Sequence, residues 1–380
     1  MTTQRTYLDW NATAPLLPEA RAAVERALDV YGNPSSVHAE GRRARAIVET
    51  AREQVAALVG AKPSEIIFTS GATEACAMVL AAPFAAILLA GIEHDAVLRP
   101  AEATTGAHIA LEVSADGRID IADLADKLRS AVAAHGTGST LAVLQLANNE
   151  TGVLQPLAGV TAMAREAGAL VFTDAAQAAG RIPVDFAALA VDFMALSAHK
   201  LGGPKGIGAL VVRDGRDLPA LIRGGGQERR RRGGTENIPG IAGFGAAAEV
   251  ARRAIVERDR IAHLRDRLET GLLDLTPDAH IIGMGAERLP NTTCIALSGL
   301  SAETAVIRFD LGGIAVSAGA ACSAGKIGAS HVLMAMGLDE PTARSAVRIS
   351  IGPTTTDHDI DRCIAAWREI AAHPRAQSAA

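Results

Sequence analysis

The feature that most constrains this chain is an alternation. Five short apolar runs, "EIIFTS" (65–70), "AAILLAG", "LAVLQLA", "ALVFTDA" and "VDFMALS", recur between residues 65 and 197. Each is apolar along its length rather than at every second position. A strand of that kind must be covered on both faces. Ala-rich, charge-dotted stretches such as "VTAMAREAG" lie between several of them and have helical character. Strands and helices in alternation predict an α/β fold with a mostly parallel sheet sandwiched between helices.

The 16-residue run "AMVLAAPFAAILLAGI" (77–92) is short for a membrane span and is interrupted by Pro83. It reads as a helix end followed by a buried strand. Beyond about residue 240 the texture changes. "AGFGAAAEVARRAIVERDRIAHLRDRLETGLLDL" is one amphipathic pattern, predicting a long helix, and the strand candidates "TTCIALS" and "SAVRISIG" follow it. A chain of 380 residues exceeds what one compact core usually holds, so a second, smaller α+β domain attached through that helix is expected. The tail "AAHPRAQSAA" reads as frayed.

Composition narrows the function classes. A net charge of −5 argues against a general nucleic-acid binder. The four cysteines, Cys76, Cys294, Cys322 and Cys363, form no CxxC pair. That pattern fits a reducing cytosol better than a disulfide framework or a zinc site, and no resident metal is expected. "MTTQRTYLDW" lacks the apolar core of a signal peptide, so the expected location is the cytoplasm, with no membrane partner.

Candidate reactive groups cluster after the strands. In "LSAHKLGGPKGIGAL", Lys200 follows a strand and precedes four glycines. A lysine at a strand end is commonly a surface residue, but a desolvated one can form a Schiff base. In "FTDAAQAAG", Asp174 ends a buried strand, where α/β sheets place ligands. It is either a helix cap or the partner of a pyridinium nitrogen, and Gln177 lies within one turn of it. In "FTSGATEAC", Ala72 and Thr73 open a helix whose free amides suit a phosphate. In "LANNETG", Asn148 and Asn149 make either a turn or a ligand-fixing amide. His94 in "GIEHDAV" is either structural or a proton carrier stacked on a flat ring. "GAACSAGKIGASH" (319–331) sets Cys322 among residues too small to build a core. It is not a phosphate loop, because Ala320 replaces the first glycine and Ile327 the hydroxyl residue that pattern needs. The run "RRRR" (229–232) is ordinarily a solvated charge run.

Taken in order, these stretches, together with "YLDWNATAP", "YGNPSSVHAEGRRA", "GGGQERRRRGGTEN" and "VRISIGPTTT", resemble the cysteine desulfurases. These are a branch of the class V aminotransferase group within the fold-type I pyridoxal-phosphate (PLP) enzymes. The resemblance covers nearly the whole chain. It implies a large PLP-binding domain over 15–250 with a mostly parallel seven-stranded sheet. The small domain would comprise 1–14 and 251–380 and carry a mobile cysteine loop at about 319–331.

By the same resemblance, Lys200 would carry PLP covalently, Asp174 would pair with the ring nitrogen and Gln177 would contact the ring oxygen. His94 would stack on the ring and move protons. Ala72, Thr73, Ser197 and His199 would bind the phosphate, and Thr235 would reach the phosphate of a second subunit, making a homodimer with shared active sites. Asn149, Arg348 and Asn33 would hold the substrate, L-cysteine, and Asn149 would contact the cofactor as well. Cys322 would take its sulfur as a persulfide, release L-alanine and pass the sulfur to an acceptor protein. The distance from Cys322 to "SHVL" resembles the long-loop branch, which serves iron–sulfur scaffolds, and Cys322 would be a candidate transient ligand of a nascent cluster. Trp10, Ala320, Ala329 and Gly233 depart from the residues common in the family, and none of them removes a catalytic group. The alternatives on the same fold are a selenocysteine lyase and an aminotransferase of small amino acids.

Overall fold

The computed structural model describes residues 5–319 and 328–372; Cys322 and the rest of 320–327 lie outside the described residues. In chain order the helices are α1 (Pro18–Leu28), α2 (Ala39–Leu58), α3 (Ala72–Leu80), α4 (Asp95–Glu102), α5 (Ile121–His135), α6 (Leu157–Ala167), α7 (Phe186–Leu189), α8 (Ile238–Ala254), α9 (Arg258–Leu275), α10 (Ala302–Leu311), α11 (His331–Ala335), α12 (Glu340–Ser345) and α13 (Asp357–Ala371). The strands are β1 (Thr6–Tyr7), β2 (Ile66–Thr69), β3 (Ala86–Ala90), β4 (Ala107–Leu111), β5 (Thr140–Val143), β6 (Leu170–Asp174), β7 (Phe193–Ser197), β8 (Gly208–Val212), β9 (His280–Ile281), β10 (Thr292–Ala296), β11 (Ile314–Ala315), β12 (Ser317–Ala318) and β13 (Val347–Ser350).

Seven strands form one sheet in the order β2-β8-β7-β6-β5-β3-β4. The pairings from β4 through β7 are parallel, and only β8 runs against its neighbours. The continuous apolar runs now have a reason. Alternate residues point to opposite faces, and both faces are buried. Leu88, Ala142, Val171, Met194 and Leu196 belong to the core under α1, α2, α5, α6 and α8. Ile87, Leu141, Phe172, Phe193 and Ala195 belong to the core under α3 and α4.

The small residues set how closely the helices approach. A Cβ added to Gly245 of α8 would lie 2.7 Å from Ala51 Cα on α2. Substituting that glycine would therefore push the two helices apart.

The single long helix expected over 242–275 is instead two helices joined by a 3₁₀ turn, Ile255–Glu257. The physical reason is a change of core. Ile241, Phe244 and Ala248 of α8 pack on the seven-stranded sheet. Ile261, Leu264 and Leu268 of α9 pack with Phe309 and Trp367 in a second core. A tightened turn rotates the buried stripe from one core to the other. That second core covers a four-stranded antiparallel sheet, β12-β13-β10-β9. No helix among the described residues is long and apolar enough to cross a membrane.

Candidate active site

The carboxyl ends of β3, β5, β6 and β7 meet one cavity of about 660 Å³. Open α/β sheets place ligands at this edge because the helix N-termini and strand-end loops converge there. Ala72, Thr73, His94, Asn149, Asp174, Gln177, Ser197, His199, Lys200 and Arg348 all line it.

Lys200 closes a short 3₁₀ turn (Ala198–Lys200) directly after β7. Its Nζ donates to the carbonyl oxygens of Asn11 (2.5 Å) and Ala12 (2.9 Å). Opposite the sheet edge, α3 begins at Gly71, which has no side chain to cap the first-turn amides. Those amides, with the adjoining hydroxyl and imidazole of Ser197 and His199, make an anion cup. Burial pushes His199 down to about 4, helped by Lys200, Lys205 and Arg181, so the ring is neutral. Its Nδ1 lies 3.2 Å from Thr13 Oγ1.

His94 occupies the N-cap of α4, and its Nδ1 accepts from the Ala96 amide at 3.0 Å. Burial pushes this imidazole below its ordinary value; Asp174 opposes the shift and Lys200 adds to it. A neutral ring that accepts at Nδ1 carries its proton on Nε2. Asp174 ends β6, and its Oδ1 accepts from the Ala176 amide at 2.9 Å. Gln177 is tied at both ends, donating through Nε2 to Asn11 O (3.0 Å) and accepting through Oε1 from Arg181 (2.6 Å).

The two asparagines divide their work. Asn148 is a turn residue, its Oδ1 accepting from the amides of Glu150 and Thr151. Asn149 faces the cavity, and its carbonyl accepts from Arg348 at 3.2 Å. Arg348, on β13, is 3% exposed and donates to Asp9 Oδ1 at 2.9 Å. Its buried Nε has no partner among the described residues. A buried guanidinium with a free edge suits a carboxylate.

Asn33 and Thr235 do not line this cavity. Both are exposed, and Asn33 accepts from the Ser35 amide. Sequence reasoning missed Asn11, Thr13 and Gln145 as lining residues. Asn11 and Thr13 sit in "YLDWNATAP", whose polar residues were the available signal.

The arginine run is largely consumed locally. Arg229 donates to Ser64 O, Arg231 to Arg216 O and Arg232 to Glu74 beside the α3 cup. Glu228, Arg229 and Arg230 all have left-handed backbones, with φ of 42°, 56° and 68°. They are held by a buried bidentate pair between Glu228 and Arg52, 2.8 Å on each arm.

A group that fits this set of residues is PLP. The lysine amine, the strand-end carboxylate, the neutral imidazole and the uncapped helix amides supply a partner for each of its functional parts.

The class V aminotransferase family model matches residues 6–363. A cysteine desulfurase from Cereibacter sphaeroides is 42% identical, with 99% of this chain and 98% of that protein covered. One from Gluconacetobacter diazotrophicus is also 42% identical, covering 98% and 94%. The chain belongs to the cysteine desulfurases of the class V aminotransferase family. Structures agree. The NifS-like protein from Rickettsia africae is similar at a TM-score of 0.89 and 35% identity, covering 97% of this chain and all of that one. SspA in complex with cysteine is similar at 0.77 and 30%, covering 92% and 100%. Enzymes of this family depend on PLP, and desulfurase activity is favoured over the lyase and aminotransferase alternatives.

Proposed function

We propose that this cavity holds PLP on Lys200 and L-cysteine against Arg348, and that the desulfurase passes sulfur to Cys322. The single observation that carries the reading is the convergence of Lys200, Asp174 and His94 on one cavity bordered by uncapped helix amides. When bound, the cofactor supplies an electron sink for negative charge left at the substrate α-carbon.

The chain's own residues do the rest. The α3 amides with Thr73, Ser197 and His199 anchor the phosphate. Asp174 would hold a proton at the ring nitrogen, and Gln177 would contact the ring oxygen. Arg348 and Asn149 orient the substrate carboxylate; Asn33, exposed and outside this cavity, is not among the side chains that line it. His94, neutral with its proton on Nε2, moves protons. The net change is balanced without an outside oxidant. The Cβ–S bond of L-cysteine breaks, an S–S bond forms at Cys322, and a proton replaces sulfur on Cβ to give L-alanine.

The same reading makes the enzyme a homodimer whose Thr235 reaches the second subunit's phosphate. Exposed apolar side chains support it: Tyr31 and Val37, 87% and 88% exposed, flank Asn33, and Leu221 and Ile222 precede the glycine-rich loop. Residues 15–250 would form the large domain and 1–14 with 251–380 the small one; α8 and α9 pack in different cores, although Cys294, Leu333 and Ala346 of the second part pack in the first core. The sulfur acceptor is read as an iron–sulfur scaffold in the cytoplasm. Three free, buried cysteines among the described residues fit a reducing compartment. Cys322 is a candidate transient ligand of a cluster shared with that scaffold.

Mass spectrometry after incubation with L-cysteine tests the reading. One added sulfur on the Cys322 peptide, with alanine released, is expected. A Cys322→Ala variant should keep the PLP absorbance band and lose sulfur release. Undiminished sulfide production by that variant would overturn the persulfide route.

A further inference from the structure

Two side chains from different parts of the chain meet at the carbonyl oxygen of Asn11. It accepts from Lys200 Nζ at 2.5 Å and from Gln177 Nε2 at 3.0 Å. The other end of the Gln177 amide, Oε1, accepts from Arg181 Nη1 at 2.6 Å. The same Nη1 donates to the Gln177 carbonyl at 2.5 Å, and Nη2 donates to the Trp10 carbonyl at 3.2 Å. Arg181 does not line the cavity that holds Lys200 and Asp174. It lines a smaller one of about 130 Å³, bordered by Trp10, Lys200 and Ala251. Asn11 is itself fixed. Its amide donates to Ser350 Oγ at 2.9 Å, and its side chain bonds to Thr292, Asn291 and the Asn149 carbonyl.

A carboxamide fits its space in either direction, so its partners decide which end is oxygen. At Gln177 both partners decide it the same way. A guanidinium only donates and a carbonyl only accepts. Oxygen must therefore face Arg181, and nitrogen must face Asn11. The titratable groups near Arg181 are Arg348 of β13 and His199, and among the described residues no carboxylate draws its donors elsewhere. We infer that Arg181 is a positioning residue, which acts through Gln177 and holds that side chain with its donor end, not its acceptor end, beside the Lys200 amine. The inference rests on the reading of Lys200 as the PLP lysine. The ring oxygen of PLP adjoins the carbon that Lys200 would bond. A donor beside that amine favours the anionic form of this oxygen, whereas a reversed amide would set a carbonyl oxygen against it.

The pH midpoint of the cofactor absorbance band in the holoenzyme reads this role without reference to turnover. Arg181→Met should raise the midpoint by about one pH unit, the scale of one hydrogen bond to a charged group. Gln177→Ala should raise it at least as far. The double variant separates positioning from simple loss of a positive charge. A charge acting through space would raise the midpoint again in the Gln177→Ala background. A residue acting through Gln177 would not, so the double variant is expected to match Gln177→Ala. An unchanged midpoint in Arg181→Met, or a further rise in the double variant, overturns the positioning role. Neutron diffraction from the unmodified holoenzyme needs no variant to fold. Both amide deuterons of Gln177 are expected on the atom facing the Asn11 carbonyl, and deuterons on the atom facing Arg181 would equally overturn the inference. A parent enzyme with no cofactor band tied to Lys200 would instead sink the PLP reading, and the role of Arg181 with it.

Discussion

The Lys200 ammonium donates to the backbone carbonyl of Asn11 across 2.5 Å. The N-terminal segment therefore holds an amine that lines the cavity, although 189 positions separate the two residues. The bond to Asn11 and a second to the Ala12 carbonyl hold the Lys200 amine at the sheet edge. Lys200→Ala should bind PLP without a covalent link. Borohydride reduction should then leave no cofactor mass on the peptide containing position 200, and desulfurase turnover should fall more than about a hundredfold. Cofactor fixed to another lysine at full activity would refute the assignment.

His94 should titrate below the ordinary histidine range, because burial outweighs the opposing charge of Asp174. Its neutral form thus persists to lower pH than that of an exposed histidine. Nitrogen-15 NMR of the enzyme is expected to show Nε2 protonated and Nδ1 accepting at pH 7. His94→Ala should cut turnover by about 10²–10⁴, the range for a removed general acid–base. It should slow exchange of the L-alanine α-proton with D₂O as well. An imidazole that is cationic at pH 7 would contradict the geometry at the α4 N-cap.

Much of this architecture is legible in the sequence for a physical reason. Strands buried on both faces write themselves as unbroken apolar runs; β2, β3, β6 and β7 fall inside such runs and β5 overlaps one. β4 does not, since its residues are mostly exposed and it lies at the sheet edge. The break between α8 and α9 is hidden because both halves are amphipathic, and only the change of core at Ile255–Glu257 reveals it. The cavity lining is legible where a reactive side chain ends a strand, as at Asp174 and Lys200. Asn11 is not, because its place depends on a segment crossing from the far end of the chain to meet Thr292 and Asn149. The bond between Glu150 and Ser330 is invisible for the same reason: 180 positions separate them.

The arginine-rich loop tests how strain is held. Three successive non-glycine residues with positive φ are costly, and the buried pair of Glu228 and Arg52 offsets that cost. Phe68 donates its amide to the same carboxylate at 2.9 Å. Glu228→Ala would leave Arg52 with Glu49 and the Ile66 carbonyl and would strip the Phe68 amide of its acceptor, which should destabilise the enzyme by about 1–3 kcal/mol. Chemical denaturation of the holoenzyme measures this. The variant should also weaken the proposed dimer, read by sedimentation. A loss below about 1 kcal/mol would mean that the pair behaves like a surface bridge.

Glu150 gives stability a pH dependence whose sign can be worked out. Burial raises its folded-state pKa from 4.5 to about 7, against the opposing pull of Ser330, His331 and Arg348. The folded chain thus binds more protons than the unfolded chain between those values. Stability from this group is fully present below pH 4.5 and is lost as pH rises through 7. Glu150→Gln lacks the titration. Its melting temperature relative to the parent should therefore move in the variant's favour as pH is raised from 5 to 8, by up to about 3 kcal/mol of relative stability. Above pH 8 the difference should level off. A gap that stays constant from pH 5 to 8, or that moves the other way, would show that Glu150 is already ionised at the acid end and that Ser330 binds a full carboxylate throughout.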